Sequence, residues 1–207
     1  MKTFIATTIV LGLAAPVQAK VFNGFRIGAQ AGIETETTDT AATLATSGLG
    51  AVSVDKKTAT GGTVGVTLGY DASVFENFVV GAEIAGTYST GRNRQVATFA
   101  SAPGNPVTMT YKSTFTFEAT VRAGVKVGDS TLLYARGGFA TRKLDVTIST
   151  AGTAPTTTGG DSSGWLIGAG IEQAFGPKLS GRLEYRYFNF EGPSSRQQVV
   201  VGLGYSF

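Results

Sequence analysis

Glu118, Glu172 and Glu184 are the residues whose type best suits acid–base chemistry. Two carboxylates held in different protonation states can donate and accept a proton in one reaction. Each, however, sits on the polar face with an Arg or Lys neighbour, as Arg122 follows Glu118 and Arg182 and Arg186 flank Glu184. Ion pairing explains these carboxylates without catalysis. The remaining repertoire is narrow, because the 207 residues include no histidine and no cysteine. That removes the commonest general base, the usual zinc ligands and the thiolate nucleophile together. A Ser–His or Cys–His pair cannot be assembled.

Other motifs are equally bland. The glycine spacings in GVTLGY and GAGIEQAFG faintly resemble phosphate loops. Strand periodicity runs through both and no helix follows, so neither reads as a nucleotide site. Asp39, Asp55, Asp129, Asp145 and Asp161 are scattered in what reads as loops, without calcium-loop spacing. The sequence therefore predicts no catalytic residue, no cofactor and no metal. Net charge is only +3 and no basic run occurs, which argues against a nucleic-acid partner.

The elements that carry these charges follow from composition. Charged residues make up 15% of the chain, where soluble globular chains average roughly 25%. The 29 glycines disfavour long helices and suit turn-rich β structure. Residues 1–19, MKTFIATTIVLGLAAPVQA, read as a cleavable signal peptide. Lys2 is the positive n-region, Phe4 to Ala15 the apolar core, and Val17-Gln18-Ala19 the cleavage site. The apolar run falls short of the ~20 residues of a spanning helix. Residues 20–207 are expected to be one exported domain without a transmembrane helix.

That domain divides into eight segments that alternate with a period of two, the period of a strand. FRIGAQAGIE sets Phe25, Ile27, Ala29, Ala31 and Ile33 against Arg26, Gln30 and Glu34. TVGVTLGY and VVGAEIAGTY follow, then FTFEATVRAGVKV, LLYARGGFATR, GWLIGAGIEQAF, GRLEYRYF and the C-terminal RQQVVVGLGYSF. LLYARGGFATR is the least clean; placing Arg136 and Arg142 on one face puts Tyr134 there too. Short turns are expected near DASVFEN, GDS and GPK. Stretches 35–60, 91–110 and 145–162 are rich in Thr, Ser, Gly and Ala and read as long loops. Long loops on one side, tight turns on the other and an even strand count predict an all-β, eight-stranded antiparallel up-and-down transmembrane β-barrel.

Two barrels share the alternation. A soluble lipocalin-like barrel points apolar residues inward, and a membrane barrel points them outward. Three features favour the membrane form. The polar face mixes Arg26, Glu34, Glu83, Glu118, Arg122, Lys126, Arg136, Arg142, Glu172, Arg182, Glu184 and Arg186 with many glycines. Large side chains beside small ones fit a narrow lumen. Arg26, Glu83, Glu118, Arg122, Lys126, Arg136, Glu172, Arg182, Glu184 and Arg186 are the candidate lumen ion-pair network. Next, Tyr70, Phe78, Phe175, Tyr205 and Phe207 gather at the short-turn ends, and Tyr88, Phe115, Phe139, Trp165 and Tyr187 near the long loops. Such aromatics suit the two lipid–water interfaces. Finally, the runs approach the ~9–11 residues that a tilted strand needs to cross a bilayer.

GWLIGAGIEQAFGPKLSGRLEYRYFNF, followed by a strand ending GLGYSF, resembles the small outer-membrane β-barrel family of Gram-negative bacteria. That family includes porin-family and opacity-like surface antigens and is related in shape to the OmpA-type barrel. The resemblance implies residence in the cell outer membrane, after export to the periplasm. It also implies a C-terminal assembly signal, here Val201, Leu203, Tyr205 and Phe207, read by the barrel-assembly machinery. Outer-membrane lipid and lipopolysaccharide are expected partners, and loops 35–60, 91–110 and 145–162 possible contacts for a surface ligand. Two non-enzymatic functions stay open: a surface protein whose lumen is filled by charges, or a narrow porin for small hydrophilic solutes. A soluble periplasmic binding barrel is the third.

Overall fold

The computed structural model describes residues 22–38, 52–54, 59–90, 92–99, 107–150, 154–191 and 194–207. The expected leader, residues 1–19, lies outside the described residues. Ten strands follow in order: β1 (Gly24–Thr38), β2 (Val52–Val54), β3 (Ala59–Phe75), β4 (Phe78–Ser89) and β5 (Arg92–Phe99). Then come β6 (Val107–Val127), β7 (Thr131–Thr150), β8 (Thr156–Ala174), β9 (Leu179–Phe190) and β10 (Ser194–Ser206). Eight of them form a ring in the order β6-β4-β3-β1-β10-β9-β8-β7, and β7 pairs back onto β6. The seam joins the first and last barrel strands, with Ile27 opposite Tyr205. There the Phe207 N–H donates to the Phe25 carbonyl at 3.0 Å. Closure leaves the ring without an open edge, as a lipid-facing sheet requires. The eight alternating segments of the sequence are these eight barrel strands.

Alternation decides which way each side chain points. Val66 is 67% exposed and Phe139 75%, whereas Arg26 is 2% and Arg186 0% exposed. The aliphatic and aromatic residues face outward and the charges face inward. That is the arrangement of a membrane barrel and the reverse of a soluble ligand-binding one. The register of β7 is fixed on both sides, with Arg136 opposite Arg122 on β6 and Gly168 on β8. Leu132 and Tyr134 accordingly point inward and are buried.

Four expectations about the connections need correction. The β3–β4 turn is only Glu76–Asn77, so most of DASVFEN is strand and Asp71 faces the interior. The stretch 145–162 is not a long loop: 145–150 belong to β7 and 156–162 to β8. In 91–110, β5 pairs with the start of β6, Arg92 lying opposite Lys112. Stretch 35–60 likewise begins in β1, ends in β3 and holds β2, with 39–51 and 55–58 outside the described residues. Rich in Thr, Ser, Gly and Ala, these segments give only a weak sequence signal for a strand. The β-branched Thr, Val and Ile still favour extended backbone. Asp145 and Asp161, read as loop residues, lie opposite Lys112 and Lys143 across these strands.

Candidate functional site

The interior is built in three tiers. At the short-turn end Phe22, Val79, Leu132, Tyr134 and Ala174 form an apolar floor. Phe22 precedes β1 and is fully buried. Tyr134 joins the floor to the charges above it: its hydroxyl donates to Glu184 at 2.5 Å. The Arg122 guanidinium also lies 5.0 Å from the Tyr134 ring centre.

The middle tier is ionic. Arg122 grips Asp71 with two parallel hydrogen bonds, at 2.8 and 2.6 Å, and Glu172 with a third at 2.7 Å. Arg26 lies 2.7 Å from Glu83, 3.4 Å from Asp71 and 3.6 Å from Glu172. Glu83 also receives Arg136 at 2.9 Å and Arg182 at 2.7 Å. Arg136 reaches Glu184 at 3.1 Å and Thr120 at 2.7 Å. Arg186 contacts Glu118 at 3.3 Å and donates through Nε to Glu184. The Gln30 carbonyl oxygen accepts from Arg182 and Arg186, each at 2.7 Å. Five arginines (26, 122, 136, 182 and 186) thus meet five carboxylates (71, 83, 118, 172 and 184). Formal charge in this tier is balanced. Buried arginines need that balance, because an unpaired charge away from water costs several kcal/mol.

The third tier lies toward the long hairpins. Arg142 pairs with Glu36 at 2.6 Å and donates to Ser194 at 2.9 Å. Arg196 lies 3.3 Å from Glu36 and 3.7 Å from Glu34. Both guanidiniums pack on Phe190, at 4.0 and 5.3 Å from its ring centre. Phe190 stacks on Phe188 at 5.8 Å, above buried Ala140 and Leu166.

Glycine makes room for these side chains. Gly168 sits opposite Arg136 on one neighbouring strand and Arg186 on the other. A side chain there would meet the Cγ atoms of both at 3.3 and 3.4 Å. Alternating large and small residues fill a narrow barrel in this way.

The model of the family described as outer membrane protein beta-barrel domain matches residues 5–207. The chain belongs to this family. It is an outer-membrane barrel, and its outward apolar face is the face that meets lipid. A 44-residue stretch is 41% identical to the 25 kDa outer-membrane immunogenic protein of Brucella ovis, covering 21% of this chain and 22% of that one. The barrel thus matches well under two thirds of that relative's length. The fold is similar to the crystal structure of Neisserial surface protein A, with 12% identity, 89% and 98% of the two chains covered, and a TM-score of 0.52. OprG from Pseudomonas aeruginosa aligns over 92% and 99% of the two chains, at 13% identity and a TM-score of 0.49.

In this outer-membrane barrel nine of the residues singled out from sequence face one interior: Arg26, Glu83, Glu118, Arg122, Arg136, Glu172, Arg182, Glu184 and Arg186. Lys126 stands apart and is corrected: its Nζ donates to the Glu76 carbonyl at 3.4 Å, beside the β3–β4 turn. It lies at the end of β6, where the interior meets water. Asp71, Glu36 and Arg196 were missed. Each continues the alternation of a recognised strand, two residues beyond Gly69, Glu34 and Gln198, so extending the period would have found them. Gln30 and Tyr134 were missed as interior partners because neither carries charge. Among the outward aromatics, Tyr70 packs on Phe25 at 5.0 Å, Trp165 on Tyr187 at 5.8 Å and Tyr205 on Phe207 at 5.3 Å. Phe78, Tyr88, Phe115, Phe139 and Phe175 also face outward, joined by Phe117 and Tyr185, which stand on the same apolar faces outside the two expected girdles.

Proposed function

We propose that this barrel is a surface protein of the outer membrane whose lumen is closed by its own side chains. Its work is to add a stable wall element to the envelope and to present the long hairpins to the outside. The observation that carries this reading is the balanced ionic tier, five arginines against five carboxylates, seated on the apolar floor around Phe22. An eight-stranded ring leaves an interior just wide enough for side chains. Here those side chains spend their hydrogen bonds on one another. No catalytic role is assigned to the glutamates, since each is engaged by arginine. Export through residues 1–19, assembly through Val201, Leu203, Tyr205 and Phe207, and contact with lipopolysaccharide and a surface ligand belong to the same proposal.

A narrow porin is the second reading, and one observation favours it. Arg136 Nε and Gln198 Oε1 are buried without a hydrogen-bonding protein atom among the described residues. Buried polar atoms of this kind are ordinarily served by water. Planar-bilayer recording on the refolded mature protein separates the readings. Silence, with a heat-modifiable gel band proving that the barrel has folded, supports the closed lumen. Steady discrete openings overturn it in favour of the porin.

A further inference from the structure

The apolar floor is made of five residues, and Phe22 alone among them belongs to no strand. Val79 stands on β4, Leu132 and Tyr134 on β7 and Ala174 on β8, so the ladder sets their places. Phe22 hangs from the start of β1 instead. The chain leaves the ladder at Gly24, which lies opposite Asp71 on β3 and has a φ of 114°. Glycine takes that conformation readily and an L side chain rarely does. Between Gly24 and Phe22, Asn23 is exposed, and its side-chain oxygen accepts from the Ser73 N–H at 3.4 Å. That is a long hydrogen bond. Phe22 packs in one cluster with Tyr134, whose hydroxyl reaches Glu184. Its ring therefore stands between the short-turn end and the ionic tier.

We infer that Phe22 is a hinged stopper, which swings out on Gly24 and lets water reach the ionic tier from the short-turn end while the ring stays closed. The strands begin at Gly24, so no pairing between strands has to break when Phe22 leaves. Segments at the ends of a chain open locally at far lower cost than a sheet does. What keeps the stopper shut is the burial of one ring and the Asn23 tie. The third tier at the other end is built differently, since Glu36, Arg142, Phe190 and Arg196 all stand on strands. The two ends of the interior are therefore unequal: one is sealed by the wall itself and the other by a movable side chain. Short turns of an outer-membrane barrel face the periplasm, so the stopper answers to that side. This inference rests on the closed-lumen reading and adds that the closure is reversible at one end.

The chain holds no cysteine, so one introduced thiol reports one place. Val79→Cys puts it in the floor, and Ala140→Cys puts it in the buried cluster with Phe188 and Phe190. Each variant of the mature protein would be folded in detergent micelles, as judged by the heat-modifiable band. A charged, water-soluble methanethiosulfonate would then be added and labelling followed by mass spectrometry. Val79→Cys should label slowly with Phe22 in place and at least about tenfold faster with Phe22→Ala, the least that burying one such ring supports. Asn23→Ala keeps the ring and drops its tie. It should quicken Val79→Cys about threefold, the scale of one net hydrogen bond. Ala140→Cys should label at one slow rate in all three backgrounds. An unchanged Val79→Cys rate in Asn23→Ala overturns the hinge, and that test stands even if Phe22→Ala does not fold. Slow labelling of Val79→Cys that ignores both changes overturns the stopper and leaves the closed lumen standing. Fast labelling at both positions with Phe22 in place overturns stopper and closed lumen together. Equal acceleration at Ala140→Cys would mean a general loosening of the barrel and overturns the stopper as well.

Discussion

Arg122 meets Glu172 at 2.7 Å although the two residues are 50 positions apart and lie on strands separated by β7. The same guanidinium holds Asp71, on β3, beyond the intervening β4. One side chain therefore ties together three strands that share no backbone pairing. Arg122→Met should leave two buried carboxylates short of a partner and destabilise the barrel by about 3 kcal/mol or more. Urea unfolding in lipid vesicles, followed by Trp165 emission, measures it. A double-mutant cycle with Glu172→Gln should give a coupling energy above about 0.5 kcal/mol. Simple additivity would show that the contact is incidental.

The apolar floor should behave differently from the charges. Phe22→Ala removes a fully buried ring from the end of the interior and is expected to cost about 3 kcal/mol. Exchange within a hydrophobic cluster carries no charge term, so that loss should be the same at low and high salt. A salt-dependent loss would place Phe22 in the ionic tier instead.

Gly138 faces the interior on β7, opposite Thr120 on β6, and a methyl group there would overlap the Ala119 carbonyl oxygen. Gly160, in the outer part of β8, has open space around it. Gly138→Ala should lower the yield of the heat-modifiable folded band severalfold, and Gly160→Ala should leave it unchanged. Equal yields would mean that the β6–β7 contact yields easily.

Phe207 contributes one seam hydrogen bond and an exposed ring. That bond comes from the backbone N–H and survives a side-chain change, so losing the ring and its contact with Tyr205 should alter equilibrium stability by only about 1 kcal/mol. Its proposed part in assembly predicts a much larger effect in cells. Phe207→Ala should slow the appearance of folded barrel in the outer membrane severalfold, while refolding into vesicles stays nearly normal. Pulse-chase labelling with the heat-modifiability assay decides it, and unchanged kinetics in cells would remove the residue from the signal.

The barrel was legible because lipid and lumen impose opposite polarity on alternate residues. Val64, Val66 and Leu68 against Gly65, Thr67 and Gly69 is a pattern that only one side of a wall can satisfy. Where that contrast ends, legibility ends too. Asp145 to Thr150 and Thr156 to Ser162, rich in Thr and Ser, read as loops, yet they are strands. The charged partners were legible as a set, because Arg and Glu on the inner face must pair. Their matching was not. Arg26 finds Glu83, 57 positions away, because both lie opposite Gly69 on the intervening β3, a register that no local period records. The floor was invisible for a different reason: Val79 and Leu132 are apolar residues on the polar face, and alternation treats them as noise.

The neutrality of the middle tier bears on how such a barrel can diverge. On the lipid side one aliphatic residue replaces another at little cost, and each position drifts alone. Inside, exchanging one arginine strands a carboxylate, and exchanging one carboxylate strands an arginine. Change there must arrive in couples, or in larger sets around Glu83, which answers to three arginines at once. The wall is thus free to wander in sequence while the interior moves only as a group.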